Sequence, residues 1–190
     1  MSARVLEHAR FVAVPLTPDV AALDYDAYVA SPDVIRVHSD GRWPVDGFTL
    51  EDELREVRQH QVDHEADRSF AFALLTPSGD RSLGCVYVNR LHDYLSRVDA
   101  PPGLLAAFRA PSAMVTFWLR QDEQTTGLAD VVVAAVDAWL SDEWPLERAL
   151  FRVLPAEHSS RSALERHGLD RVELALPGET RPYLWFEARL

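Results

Sequence analysis

The sequence predicts a mixed α/β fold, with helices on both faces of one mostly antiparallel sheet of about seven strands. Apolar periodicity gives the element order β, α, α, β, β, β, α, β, α, β, β. Two loops with hairpin chemistry, Pro77-Ser78-Gly79-Asp80 and Pro177-Gly178-Glu179-Thr180, each separate two strand-like runs. The length of 190 residues and the 47% hydrophobic content predict a single domain over residues 1–190 with its own core.

Local signals define the first elements. Thr17 is followed by a proline and an acid, which is typical of a helix start, and Thr49 precedes two acidic residues in the same way. The segment between these two helices has no clear period. The predicted elements are a strand over Phe11–Leu16, a helix over about Pro18–Ala30, a loop over Asp33–Phe48 and a helix over about Thr49–Glu65.

The remaining elements follow from short apolar runs and from glycine and proline positions. Asp93–Ser112 is long for a connection inside a compact domain, and such segments are often functional. Gly168 is predicted to end the last helix. The predicted elements are strands over Phe70–Thr76, Leu83–Leu91, Met114–Leu119 and Arg148–Leu154, helices over Leu104–Arg109, Gly127–Leu140 and Ser160–His167, and a closing hairpin of Arg171–Leu176 with Tyr183–Ala188.

Charge and composition restrict the class of partner and the location. The net charge of −11 argues against a nucleic-acid surface, which needs clustered basic residues; concentrated near a cleft, it would favour a cationic ligand over an acidic one. Cys85 is the single cysteine, so neither an internal disulfide nor a thiolate zinc site is expected. Met1–Arg10 has no apolar run of the secretory type, and no stretch approaches the roughly 20 apolar residues of a membrane span. We therefore expect a cytoplasmic protein without a membrane partner.

The stretch from Met114 to Leu140 has the pattern of a phosphate-binding turn. An apolar strand is followed by a polar loop, a glycine and a long apolar helix. The first N–H groups of a helix lack intrahelical partners and lie at the positive end of its dipole. Such a turn holds anionic groups, and in particular phosphates.

Two motifs in this half of the chain resemble the GNAT superfamily of acyl-CoA-dependent N-acyltransferases. Gln124-Thr125-Thr126-Gly127-Leu128-Ala129 matches the family signature Q/R-x-x-G-x-G/A at its first, fourth and sixth places. Phe117-Trp118-Leu119 resembles the GYWL-type strand of the ribosomal-protein acetyltransferase branch. Ser160 with Leu164–Leu169 resembles that branch's S-x-x-x-L-E-K-x-G-F ending. The resemblance implies the GNAT fold and acetyl-CoA or coenzyme A as co-substrate, with no metal.

The resemblance also implies a set of cofactor-binding residues. Backbone groups at the end of the strand would hold the pantetheine arm and polarise the thioester, and the loop N–H groups would bind the pyrophosphate. The alternative for Gly127 is a simple strand-to-helix turn, and for Ser160 a helix cap. The implied residues are Trp118, Leu119, Arg120, Gln124, Thr125, Thr126, Gly127, Leu128, Ala129 and Ser160.

Several positions depart from the family pattern. Glu157 replaces an asparagine that bonds the pantetheine arm, and Thr125 stands where the branch often has glycine. Leu164 occupies the place of the tyrosine that many members use as general acid, and Met114 that of a frequent glutamate. His92 and Asp93 are the candidate proton acceptors, the alternative being a solvated strand end and a water chain as base.

The irregular segments are expected to flank the acceptor. Trp43, Tyr94 and Phe108 are candidate walls of the acceptor cleft or, equally, anchors that hold loops in place. His60 and His64 have metal-ligand spacing, but a polar helix end is the commoner origin of such a pair. The closing hairpin, with its three aromatic residues Tyr183, Trp185 and Phe186, is a candidate homodimer surface.

The resemblance implies an enzyme that moves an acetyl group from acetyl-CoA directly to a primary amine within a ternary complex. The departures motivate an alternative, a GNAT-like module that binds coenzyme A and acts by sensing or partner binding. A further alternative is a protein N-terminal acetyltransferase, whose acceptor is a peptide amine rather than a small molecule.

Overall fold

The computed structural model describes residues 5–109 and 111–190 and confirms the predicted fold class. These residues form seven α-helices and one mostly antiparallel sheet of eight strands, in the order β1-β2-β3-β4-β5-β6-β8-β7. The strands are β1 (Leu6–His8), β2 (Phe11–Pro15), β3 (Ser69–Leu75), β4 (Ser82–Arg90), β5 (Ser112–Leu119), β6 (Arg148–Val153), β7 (Asp170–Val172) and β8 (Leu184–Glu187). The helices are α1 (Ala21–Val29), α2 (Pro32–His38), α3 (Leu50–Glu65), α4 (Leu91–Arg97), α5 (Pro102–Ala107), α6 (Leu128–Glu143) and α7 (His158–His167).

Strand β1 was not predicted, β7 ends at Val172 rather than at Leu176, and the element predictions were wrong in three further places. The segment predicted to be a loop begins with helix α2, because Pro32 occupies the first turn, where its missing N–H costs nothing. The predicted strand end at Leu91 is instead the start of α4, so the irregular segment after it holds two helices. Helix α7 begins at His158, which places Ser160 inside the helix, so Ser160 is not its cap.

The chain divides into two compact units, and the first contains the described residues up to Tyr87 together with Phe117–Ala129. Strands β1, β2 and β3 pair antiparallel in this unit. The predicted cap of α3 is confirmed: Thr49 Oγ1 accepts a hydrogen bond from the N–H of Asp52, whose carboxylate accepts one from the N–H of Thr49. Cys85 is fully buried in the core of this unit, as its position in a strand predicted.

The second unit contains the described residues of 88–116 and 130–190. Strand β5 pairs parallel with β6 over Ser112–Val115, and β8 pairs antiparallel with both β6 and β7, which confirms the closing hairpin. Tyr94, Phe108 and Trp185 are core residues of this unit. The single domain over residues 1–190 stays a prediction.

Helices in residues 5–109 and 111–190 are all too short or too polar to cross a bilayer. The expectation that the chain begins without a secretory signal falls partly on residues 1–4, which lie outside the described residues.

Candidate active site

At the end of strand β5, the backbone hydrogen-bonds to β4 along one edge of the strand, and the other edge faces away from β4. The N–H of Arg120 donates to the carbonyl of Leu83 across 2.8 Å. Peptide groups alternate between the two edges of a strand, so the N–H and C=O of Leu119 point to the opposite edge. Of the three predicted pantetheine ligands, Leu119 therefore presents its backbone away from β4, whereas the N–H of Arg120 is engaged within the protein.

Gln124 holds the loop after β5 against the end of the strand. Its Nε2 donates to the carbonyl of Leu119 at 2.7 Å and, more weakly, to that of Arg120 at 3.5 Å. Arg81 fixes the same loop from outside, through Asp122 at 2.6 Å and Glu123 at 2.8 Å. The first residue of the family signature thus closes the turn between the strand and helix α6.

The glycine of the signature lies in the turn just before helix α6. Gly127 has φ +74°, a left-handed conformation that glycine adopts without steric cost. Thr126 donates its N–H to the carbonyl of Glu123, and its hydroxyl oxygen accepts from the N–H of Leu128. These two N–H groups are engaged inside the loop, and the roles of Thr125 to Ala129 as phosphate ligands stay predictions. Thr125 and Gly127 are exposed.

Two basic residues near α7 have partners within the second unit. Arg166 forms a two-pronged ion pair with Asp130 in the first turn of α6, at 2.8 and 2.9 Å. Arg161 donates to the carbonyl of Pro155. Ser160, the remaining predicted cofactor ligand, is 7% exposed within α7.

A cavity of about 180 Å³ lies in the first unit, among helices α1, α2 and α3 and strands β4 and β5. Three rings on its wall contact one another: Tyr28 and Phe48 have centroids 4.9 Å apart, and Trp43 meets Phe48 edge-on at 5.2 Å. We call Tyr28, Trp43 and Phe48 the aromatic box. The other lining residues are Leu16, Asp24, Ile35, His38, Ser39, Glu53, Glu56, His60, Tyr87 and Trp118.

Two buried carboxyl groups, Asp24 and Glu53, line this cavity and hydrogen-bond to each other; we call them the carboxyl pair. Asp24 is 5% exposed and Glu53 6%. Burial, and then the charge of Asp24, raises the pKa of Glu53 to about 9, and burial also raises the pKa of Asp24. Glu53 is therefore protonated at neutral pH and donates to Asp24, whose carboxylate form is favoured by this hydrogen bond.

A chain of donors converges on the carboxylate of Asp24. The thiol of Cys85 donates to its Oδ1 at 3.0 Å, and Trp118 Nε1 donates to the hydroxyl of Tyr87 at 3.4 Å. Tyr87 in turn hydrogen-bonds to Cys85. Burial raises the pKa of Cys85 and of Tyr87 well above their usual values, so both stay protonated and act as donors.

His60 also lines the cavity, and burial lowers the pKa of its imidazole. Its ring lies 5.9 Å from that of Tyr87, between centroids. His64 instead packs edge-on against Phe70 and Phe72, at 5.0 and 5.3 Å. No group of three or more metal-ligating side chains occurs in the described part of the chain. A neutral imidazole at the cavity wall is a proton acceptor near pH 7.

The residues predicted to act on the acceptor do not all line the cavity. Trp43 lines the cavity, but His92 and Asp93 lie on α4, their side chains 45% and 65% exposed and 3.9 Å apart. Phe108 is 2% exposed beneath the guanidinium of Arg148. Tyr94 is buried, donates its hydroxyl to Glu179, and has its pKa raised to about 12 by burial. The roles of these residues in catalysis and in substrate binding stay predictions. The rings of Tyr94 and Phe108 are both buried in the core of the second unit.

Sequence reasoning missed the carboxyl pair and considered His60 only as a metal ligand or part of a polar helix end, although the helices carry a signal for the pair. Asp24 lies between Val20 and Tyr28 at helical spacing, on a face that also carries apolar residues. Glu53 precedes the buried Val57 by one turn. An acid on the apolar face of a helix is the sequence pattern that identifies a buried polar site.

Solved structures with a similar fold are acetyltransferases. A ribosomal-protein-serine acetyltransferase from Vibrio cholerae aligns with a TM-score of 0.70 at 15% identity, covering 97% of this chain and 96% of that one. RimL, a ribosomal L7/L12 alpha-N-protein acetyltransferase in complex with coenzyme A, aligns at 0.72 and 10% identity, over 97% of both chains. The microcin C7 self-immunity acetyltransferase MccE, in complex with acetyl-CoA and AMP, aligns at 0.71 and 13%, over 95% and 92%.

A search of curated proteins by sequence finds no significant match. The model of the acetyltransferase (GNAT) domain matches residues 10–170, which is most of the chain and includes both motifs; the matched range ends before the predicted closing hairpin. The resemblance drawn from the strand-loop-glycine stretch is therefore confirmed, and the chain belongs to the GNAT acetyltransferase domain family.

Proposed function

We propose that this GNAT protein transfers an acetyl group from acetyl-CoA directly to a primary amine bound in the cavity of the first unit. One observation carries the proposal: Trp118 belongs to both halves of the reaction. Its side chain lines the cavity, and its backbone lies in the strand end predicted to hold the pantetheine arm. An amine in the cavity is thus adjacent to the segment that would present the thioester.

Cofactor binding is supported by the geometry of the strand end and loop. The N–H of Leu119 is directed away from β4, where it can donate to a carbonyl of a pantetheine arm, while the carbonyl of Leu119 accepts from Gln124. The exposed turn at Thr125 and Gly127 precedes the N-terminus of α6, which is suited to a pyrophosphate. Acetyl-CoA supplies the activated acyl group, and both supporting relatives with a bound ligand contain coenzyme A or acetyl-CoA.

His60 is the proposed proton acceptor for the amine. The ammonium form of the acceptor first loses a proton to the neutral imidazole, which passes it to solvent. The amine nitrogen then bonds to the carbonyl carbon of the thioester, and the carbon–sulfur bond breaks as the tetrahedral intermediate collapses. The second proton leaves the nitrogen and ends on the coenzyme A thiolate, so one proton is released per turnover.

His60→Gln is expected to lower kcat by roughly 100-fold or more, because the amide cannot accept a proton. KM for acetyl-CoA is expected to change little. The pH profile of kcat/KM for the amine is expected to lose the limb that reports the imidazole. The matched control is His92→Gln, at the exposed candidate on α4. Loss of activity in His92→Gln with normal rates in His60→Gln would instead support the candidate predicted from the sequence.

Coenzyme A is expected to raise the melting temperature of the protein, since it binds the folded state. At about 100 times Kd the stabilisation is about 2.7 kcal/mol. Gln124→Ala is expected to reduce this shift because it releases the carbonyl of Leu119 and the turn that follows. Gln59→Ala, which removes an exposed contact with Asp63 on α3, is the control. An unchanged melting temperature at saturating coenzyme A contradicts the proposed cofactor.

A protein N-terminal amine is the second candidate acceptor, since RimL is an alpha-N-protein acetyltransferase. The cavity volume of about 180 Å³ favours a small free amine. Acetylation of a peptide panel, with no turnover of small amines, would reverse this order. The cytoplasmic location and the homodimer stay predictions; Trp185 and Phe186 of the closing hairpin are each 3% exposed within their unit.

A further inference from the structure

We infer that the acceptor carries a second cationic group besides the amine that reacts, and that the carboxyl pair and the aromatic box bind this second cation. The inference rests on the proposed function, because it assigns the substrate class of the same cavity. The acceptor class is therefore a compact diamine, or an amine with another permanently cationic group.

The first argument is charge. Asp24 is buried and accepts hydrogen bonds from the thiol of Cys85 at 3.0 Å and from Glu53, and these donors favour a carboxylate at Asp24. The described residues that line the cavity include no arginine or lysine to balance this charge; the histidines of the lining are His38 and His60, and burial lowers the pKa of His60. A buried charge is costly unless it is paired. A cation that enters the cavity supplies the counter-charge.

The second argument is the shape of the wall. The rings of the aromatic box contact one another, and Tyr28 also meets Trp43 edge-on at 6.3 Å. Ring faces attract alkylammonium groups through their quadrupole. A carboxylate beside several aromatic rings favours a cation with an aliphatic body over a neutral or anionic ligand.

The third argument separates the bound cation from the reacting amine. The nitrogen that attacks the thioester must lose its proton, and a fixed negative charge beside it would raise its pKa and oppose that loss. The charge of Asp24 therefore suits a group that stays cationic throughout the reaction. The size of the cavity limits the spacer: a site of about 150 Å³ holds benzene, and this one is about 180 Å³.

The test compares three acceptors of matched length in the wild-type protein, with coenzyme A release as the readout. They are 1,5-diaminopentane, 1-aminopentane and 5-aminopentanoate. We expect kcat/KM for the diamine to exceed that for the monoamine at least about 10-fold, and the carboxylate to be the poorest acceptor. Equal or faster turnover of the monoamine overturns the inference and leaves the proposed function intact. Coenzyme A binding without turnover of any of the three overturns both.

The double variant Asp24→Asn with Glu53→Gln removes the charge while keeping the size of both side chains. The preference for the diamine over the monoamine is expected to fall to within about 2-fold, because neither amide binds a cation electrostatically. Glu51→Gln, an exposed acid in the first turn of α3, is the matched control and should keep the preference. A double variant that folds and keeps the preference overturns the assignment of the second cation to this pair.

Discussion

Gly84→Ala is expected to destabilise the protein by about 3 kcal/mol or more and to abolish the coenzyme A shift. A Cβ at this position would lie 2.1 Å from the carbonyl oxygen of Trp118 and 2.8 Å from the Cα of Leu119. Both are backbone atoms of β5, so only a shift of the strand relieves the clash. Gly84 also has φ +138°, a conformation that side chains rarely adopt. The displaced backbone is the segment proposed to bind the pantetheine arm.

Urea unfolding and a coenzyme A thermal-shift titration measure the two effects. Gly79→Ala is the control, because Gly79 also has positive φ, at +74°, but nothing lies within 4 Å of its added Cβ. That change should cost only the left-handed backbone strain, about 1 to 2 kcal/mol, and leave the coenzyme A shift in place. If the two variants lost similar amounts of stability, the close approach of Gly84 to β5 would contribute nothing to the difference in the free energy of unfolding.

The second large effect is a fall in the free energy of unfolding between pH 7 and 8.5. The pKa of Glu53 is about 9 in the folded protein and about 4.5 when exposed. The stability that comes from its protonated form is complete below pH 4.5 and lost as the pH rises through 9. In the chosen window the folded state holds one more proton than the unfolded state, so stability falls by roughly 1.4 kcal/mol per pH unit, about 2 kcal/mol in all.

Other titrating groups face the same cavity, and the window is chosen to limit their contribution. The pKa of His60 is lowered by burial, so this side chain is neutral in both states above about pH 7.5. Burial raises the pKa of both Tyr28 and Tyr87, which keeps them protonated. The titratable groups that line the cavity with Glu53 are Asp24, Tyr28, His38, Glu56, His60 and Tyr87.

Glu53→Gln should flatten this pH dependence, because the amide keeps a donor toward Asp24 but does not titrate. Urea unfolding curves at pH 7.0, 7.75 and 8.5 measure the slope for both proteins. Glu51→Gln, at an exposed site on the same helix, should retain the wild-type slope. Parallel slopes for wild type and Glu53→Gln would mean that this carboxyl is ionised in the folded protein.

Structural features that depend only on residues close together in the chain were predictable from the sequence. The cap formed by Thr49 and Asp52, the turn at Gly127 and the end of α7 at Gly168 all depend on hydrogen bonds or φ angles within a few positions. The proposed cofactor segment was predictable for the same reason, since its strand end, loop and helix start follow one another from Phe117 to Ala129. The helices α2 and α4 were not predicted, because their apolar patterns are too short to show a period.

The proposed acceptor cavity depends instead on the tertiary structure. Asp24 and Glu53 lie on different helices, so the sequence does not show that they meet; only the packing of α1 against α3 buries them together and makes them share a proton. Tyr87 and Trp118 likewise meet because β4 and β5 are neighbours in the sheet. The sequence by itself determined the family, and it predicted the cofactor segment through local chemistry. The charge and shape of the acceptor cavity came from contacts between residues far apart in the chain, because a pKa shift depends on the burial and partners that only packing provides.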